Sequence, residues 1–151
     1  MLPAVNPALL VIGYGNTLRQ DDGVGPRVAE QIEALQLPGV QTLSCAQLSP
    51  EHAEPISRPW AVVFVDAAEH ARGPVELQPV NPGTSTQLLA HAADPATMLA
   101  LAREVYGRAP EAWLLLLPAE QFGFGTELSA LAEEGVAQAV REIGRLARGA
   151  V

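Results

Sequence analysis

Lysine is missing from all 151 residues, and the nine basic side chains are all arginines. Set against 17 acids, they leave a formal net charge of −8. A surface of that sign repels phosphate backbones, which argues against nucleic acid as a partner. It also lacks the basic cluster that an anionic membrane would attract. Cysteine occurs once, at Cys45, so no intramolecular disulfide forms. A lone thiol suits a reducing compartment. Aromatic residues are scarce at 5%, so Leu, Val, Ile and Ala must fill the interior. No apolar run approaches the ~18 residues that a membrane helix needs. The opening stretch MLPAVNPALLVIGYG holds no basic residue, unlike a secretory signal. These absences predict a soluble, cytoplasmic protein, a monomer by default.

What is present is apolar material in short, regular blocks. At 48% apolar residues the chain is not of disordered composition, and its length fits one domain over residues 1–151. ALLVIGYG (8–15), PWAVVFVDA (59–67) and AWLLLLP (112–118) read as buried strands, and VQTLSCA (40–46) as a fourth. Val24, Val28, Ile32 and Leu35 recur at helical spacing, with Pro26 in the first turn, where a missing N–H does no harm. The spacing predicts further helices over 49–57, 95–107 and 129–148. Gly107 serves as a stop signal and Ser129 as an N-cap. GPVELQPV (73–80) alternates and carries prolines, so it belongs at a sheet edge. Residues 81–93 and 119–128 read as loops, and no internal repeat is visible. Strands alternating with helices predict a single-domain, three-layer α/β/α fold. Its twisted sheet is mostly parallel, with one antiparallel edge strand.

GYGNTLRQDDG (13–23) joins the first strand to the first helix and carries two adjacent acids, Asp21 and Asp22. A dinucleotide fingerprint needs a third glycine where Leu18 stands, and an acid at the end of the second strand, which here reads TLSCAQ. A phosphate loop of the Gly-Lys-Ser/Thr type is excluded by the missing lysine. A metal reading fits better. Asp21 and Asp22 follow the first strand, and Asp66 ends another. In an open α/β sheet such strand ends share one edge, where sites collect. His91 lies on the next long loop, so two carboxylates and an imidazole could converge there and leave coordination positions open. Plainer roles stand beside this one. Either of the paired acids could cap the first helix, Asp66 could cap a loop or pair with Arg72, and His91 could be a solvated surface residue. His52 and His70 have no partner motif, and Cys45 reads as a small buried hydrophobe. The glycines Gly13 and Gly15 suit a tight turn and close backbone approach, and Asn16 can hold that turn through its side chain. Gly23 and Gly25 would leave the helix start open to an approaching peptide. No serine or cysteine stands with a partner that would make it a nucleophile.

The stretch GYGNTLRQDDGVG resembles the N-terminal signature of the [NiFe]-hydrogenase maturation endopeptidases, Gly-x-Gly-Asn-x-Leu-x-x-Asp-(Asp/Glu)-Gly-x-Gly. Gly13, Gly15, Asn16, Leu18, Asp21, Asp22, Gly23 and Gly25 match it. VFVDA around Asp66 resembles the family's second motif, a strand ending in Asp-Ala. LLAHAADPATMLALA resembles the third, a His preceding a helix, and FGFGTELS resembles a Gly-rich segment before the last helix. The family usually carries Glu where Asp22 stands, and often a Gly-Leu soon after the His, where this chain reads HAADPATML.

The resemblance implies an endopeptidase that removes a C-terminal extension from the large-subunit precursor of a [NiFe]-hydrogenase. It implies Asp22, Asp66 and His91 as metal contacts, with Asp22 or Asp66 also catalytic. The resemblance further implies nickel supplied by the precursor, with the enzyme alone metal-free. Either the metal polarises the scissile carbonyl or activates a water, or a carboxylate acts as general base. A non-catalytic nickel-dependent docking or chaperone protein is the alternative, and a nucleotide-binding α/β domain a further one.

Overall fold

In a computed structural model the described residues are 6–83 and 94–150. Five strands form one sheet: β1 (Leu9–Tyr14), β2 (Val40–Cys45), β3 (Ala61–Glu69), β4 (Glu76–Pro79) and β5 (Glu111–Ala119). Four α-helices accompany them: α1 (Val24–Leu35), α2 (Ala53–Ile56), α3 (Pro95–Tyr106) and α4 (Ala130–Ala150). The strand order is β2-β1-β3-β5-β4. The first four strands in that order are parallel, and β4 runs antiparallel on the outside of β5. The predicted fold class therefore holds, including the antiparallel edge strand.

Parallel strands are covered on both faces, and the alternation along them sorts the core into two halves. Leu9, Val11, Val63, Val65, Leu115 and Leu117 point to one face. There they meet Val24, Val28 and Ile32 of α1 and Ala132, Val136, Ala139 and Ile143 of α4. Leu10, Ile12, Val62 and Phe64 point to the other, against Ile56 of α2 and Met98, Leu99 and Ala102 of α3. Gly107 stops α3 in the left-handed conformation expected of a helix-ending glycine. Among the described residues, no helix is long and apolar enough to cross a membrane.

The connectivity creates the position for a site. From β1 the chain goes to β2 on one side and then to β3 on the other. The crevice at the carboxyl ends of β1 and β3 is therefore the point where the strand order reverses, the usual location of a site in an open α/β sheet.

Candidate functional site

Close backbone approach brings the first loop to that crevice. A Cβ on Gly13 would sit 1.9 Å from the Gly25 carbonyl oxygen. One on Gly15, whose φ is +148°, would sit 2.0 Å from the Asp22 carbonyl. Only glycine permits such packing. Asn16 closes the turn as expected, its Oδ1 accepting from the Leu18 N–H at 2.9 Å. Gly23 and Gly25 do not leave the helix start open. Both are buried, and a Cβ on Gly25 would lie 2.5 Å from the carbonyls of Tyr14 and Val65.

The two aspartates share a 3₁₀ turn, Gln20–Gly23, yet serve different ends. Neither caps α1, whose N-cap is Gly23 with no side-chain hydrogen bond. Asp21 is fully buried. Its Oδ2 accepts from Glu120 N at 2.9 Å, Gln121 N at 3.0 Å and Ser129 Oγ at 2.7 Å, and its Oδ1 from Ser129 N at 2.8 Å. Burial pushes this carboxyl up, but the hydrogen bonds outweigh it and hold the group below the usual carboxylate range. Ser129 in turn caps α4, its Oγ accepting from Ala132 N at 3.1 Å. Backbone bonds extend the join: Gln20 N to Gly125 O at 2.9 Å, and Gly125 N to Leu18 O at 2.8 Å. Asp21 is thus a clamp between the first loop and the segment from β5 to α4.

Asp22 turns the other way and is half-buried. Its Oδ2 accepts from Asn16 N at 2.7 Å. Asp66, also half-buried, accepts from its own Ala67 N–H at 2.8 Å. Burial, then the charges of Asp22 and Glu69, push Asp66 up to about 6 against the opposing pull of Ala67 N–H and the Tyr14 hydroxyl. Among the described residues no arginine pairs with Asp66, so the Arg72 alternative fails. Two acids that repel each other, with no cation between them among the described residues, form a donor set for a positive ion. That chemistry fits a metal; among the described residues no cluster of three ligands occurs. His91 lies outside the described residues.

Two neighbours escaped sequence reasoning. β1 and β3 pair in register through Gly13↔Val65, so the next residues, Tyr14 and Asp66, stand side by side on the α2–α3 face. Burial, followed by Asp66 and then Asp94, raises the Tyr14 phenol. Asp94 caps α3, accepting from Ala96 N at 2.7 Å. The signal for Tyr14 was the period-two alternation of β1, legible once its partner strand was known. The other histidines play local roles: His52 accepts from Ser49 N at 2.9 Å, and exposed His70 meets the Phe122 ring edge-on. Cys45 is half-buried rather than buried.

Comparison with protein-family models gives no match, and comparison with curated proteins gives none either. Solved structures do match over nearly the whole chain. The hydrogenase maturating endopeptidase HybD from E. coli is 20% identical with a TM-score of 0.73, over 93% of this chain and 92% of that one. The [NiFe] hydrogenase maturation protease HybD from Thermococcus kodakarensis is 24% identical with a TM-score of 0.70, over 92% and 98%. The HycI protease from the same organism is 24% identical, also at 0.70, over 95% and 94%. At these identities the likeness establishes a shared fold.

Proposed function

We propose that this protein is an endopeptidase that removes a C-terminal extension from the nickel-loaded large-subunit precursor of a [NiFe]-hydrogenase. The observation that carries the reading is the pair Asp22 and Asp66 at the switch point, with no basic partner among the described residues. The fold shared with solved maturation proteases supports it. Asp22, Asp66 and His91 grip the precursor's nickel, which belongs to the substrate and polarises the reacting centre when docked. Docking holds the neighbouring scissile peptide at the sheet edge, where positioning contributes to the rate. Asp22 or Asp66 takes the proton from the attacking water as general base. Asp21 stays outside the chemistry and fixes the loop. The reading places the protein in the cytoplasm, where such precursors would be matured.

The test incubates the protein with nickel-loaded precursor and reads the precursor's length on a gel. Shortening at the C-terminus is expected, and its loss in Asp22→Ala, Asp66→Ala and His91→Ala with circular dichroism unchanged. An uncut precursor in stable complex would instead identify a docking protein. Normal processing by any one variant removes that residue from the site.

A further inference from the structure

The two edges of the sheet are treated differently. The outer edge is β4, four exposed residues ending in Pro79, which has no N–H to offer. At the opposite edge β2, VQTLSC, has no charge, no proline and no bulge over six consecutive pairs with β1. Soluble proteins defend a free edge with such devices, because unpaired N–H and C=O groups recruit other strands. Among the described residues, nothing pairs with β2 on its outer side.

The phase of the ladder shows which groups are free. Leu9 N donates to Gly39 O and Gly15 N to Cys45 O, each at 3.1 Å. In a parallel pair this turns Gln41, Leu43 and Cys45 toward β1, and the N–H and C=O of Thr42 and Ser44 away from it. The free edge then runs into a shallow groove of about 300 Å³, lined by Gly15, Asn16, Leu18, Ser44, Cys45 and Ala46. Asn16 is the residue whose N–H holds Asp22. The open edge is therefore continuous, through Asn16, with the loop that holds Asp22.

From this continuity we infer that β2 receives the protein substrate as an added strand: the extended segment flanking the scissile bond pairs with Thr42 and Ser44 and is led along the groove to Asp22 and Asp66. This rests on the endopeptidase reading above. Main-chain pairing supplies affinity, and the groove, with no charged side chain in its lining, takes small or uncharged side chains at alternate positions. A second copy of this chain is the poorer occupant, since both partners would carry a net charge of −8.

The test measures binding and cutting separately, using nickel-loaded large-subunit precursor. Ser44→Pro removes an outward N–H from an edge strand, where proline is tolerated, and leaves the bonds to β1 intact. Binding should weaken roughly tenfold, about the worth of one net hydrogen bond, with the melting temperature near that of the original protein. In parallel, synthetic peptides spanning the scissile bond, each with one N-methylated amide, compete against the unaltered protein. Their loss of inhibition should alternate with a period of two. Unchanged precursor binding by a folded Ser44→Pro, or a patternless peptide series, overturns the strand-addition proposal. So does a dimer of the original protein that Ser44→Pro converts to a monomer. Precursor that binds through Ser44 yet is never cut leaves the docking edge standing and overturns the endopeptidase reading.

Discussion

Replacing Asp21 by alanine tests the idea that this residue joins the site rather than serving it chemically. Four donors converge on its carboxylate. Hydrogen bonds to a charged group contribute about 1.5–3 kcal/mol each, but they are not additive. Glu120 and Gln121 are exposed residues, so water can replace the carboxylate at their N–H groups. Both donors of Ser129 are buried and would be left unpaired. The net cost of Asp21→Ala is therefore about 3–5 kcal/mol, in the range for removing one partner of a buried charged contact. In a chain of this size that corresponds to a fall in Tm of about 10 °C. Urea unfolding at constant m-value measures it directly. The sign with pH follows from the direction of the shift. A carboxyl held below its unfolded value contributes fully above about pH 4 and loses that contribution as pH falls through its lower folded value. The gap between the original protein and the variant should therefore be flat from pH 5 to 8 and shrink below about pH 4. A loss under about 1 kcal/mol, or a gap that keeps growing in acid, would refute the clamp.

Asp66 works in the opposite sense. Its folded value of about 6 lies above the unfolded one, so its ionisation opposes folding at neutral pH. Asp66→Asn should melt higher than the original protein at pH 8, with the difference fading as pH falls through 6 and gone below about pH 4. The kcat/KM for precursor processing should decline below about pH 6, where Asp66 of the free protein gains a proton; a kcat/KM unchanged at pH 5 would remove Asp66 from the site. Gly13→Ala forces a methyl against the Gly25 carbonyl, 1.9 Å away, and should destabilise the chain by about 3 kcal/mol or more in urea, whereas Gly149→Ala meets nothing and should be neutral.

Much of this fold was legible in the residues themselves. The helix over 24–35 is legible to the residue, because its apolar spacing and early proline leave little room for another answer. The prolines around 74–79 marked the exposed edge strand. Asp66 is expected to end its strand because an acid interrupts an apolar run there, but β3 continues to Glu69 and Asp66 pairs with Leu116 inside it. What failed was long-range. Local propensity makes aspartate a helix cap, and nothing near residue 21 indicates that its partners lie 99 to 108 positions away. Tyr14 beside Asp66 required the β1–β3 register, which period-two patterning alone does not supply. Gly23 and Gly25 look open in sequence because a glycine-rich turn reads the same whether solvent or backbone fills the space above it.

The bonds from Asp21 to Ser129 also set a clock. The two residues are separated by 108 positions, and a ribosome adding 5–20 residues per second needs about 5–20 s to travel between them. Throughout that interval the acidic loop is synthesised but unsupported, until Glu120, Gln121 and Ser129 emerge with the donors that arrest it. A chain ending before residue 129 lacks both Ser129 donors, so its Asp21 carboxylate loses two of its four hydrogen bonds.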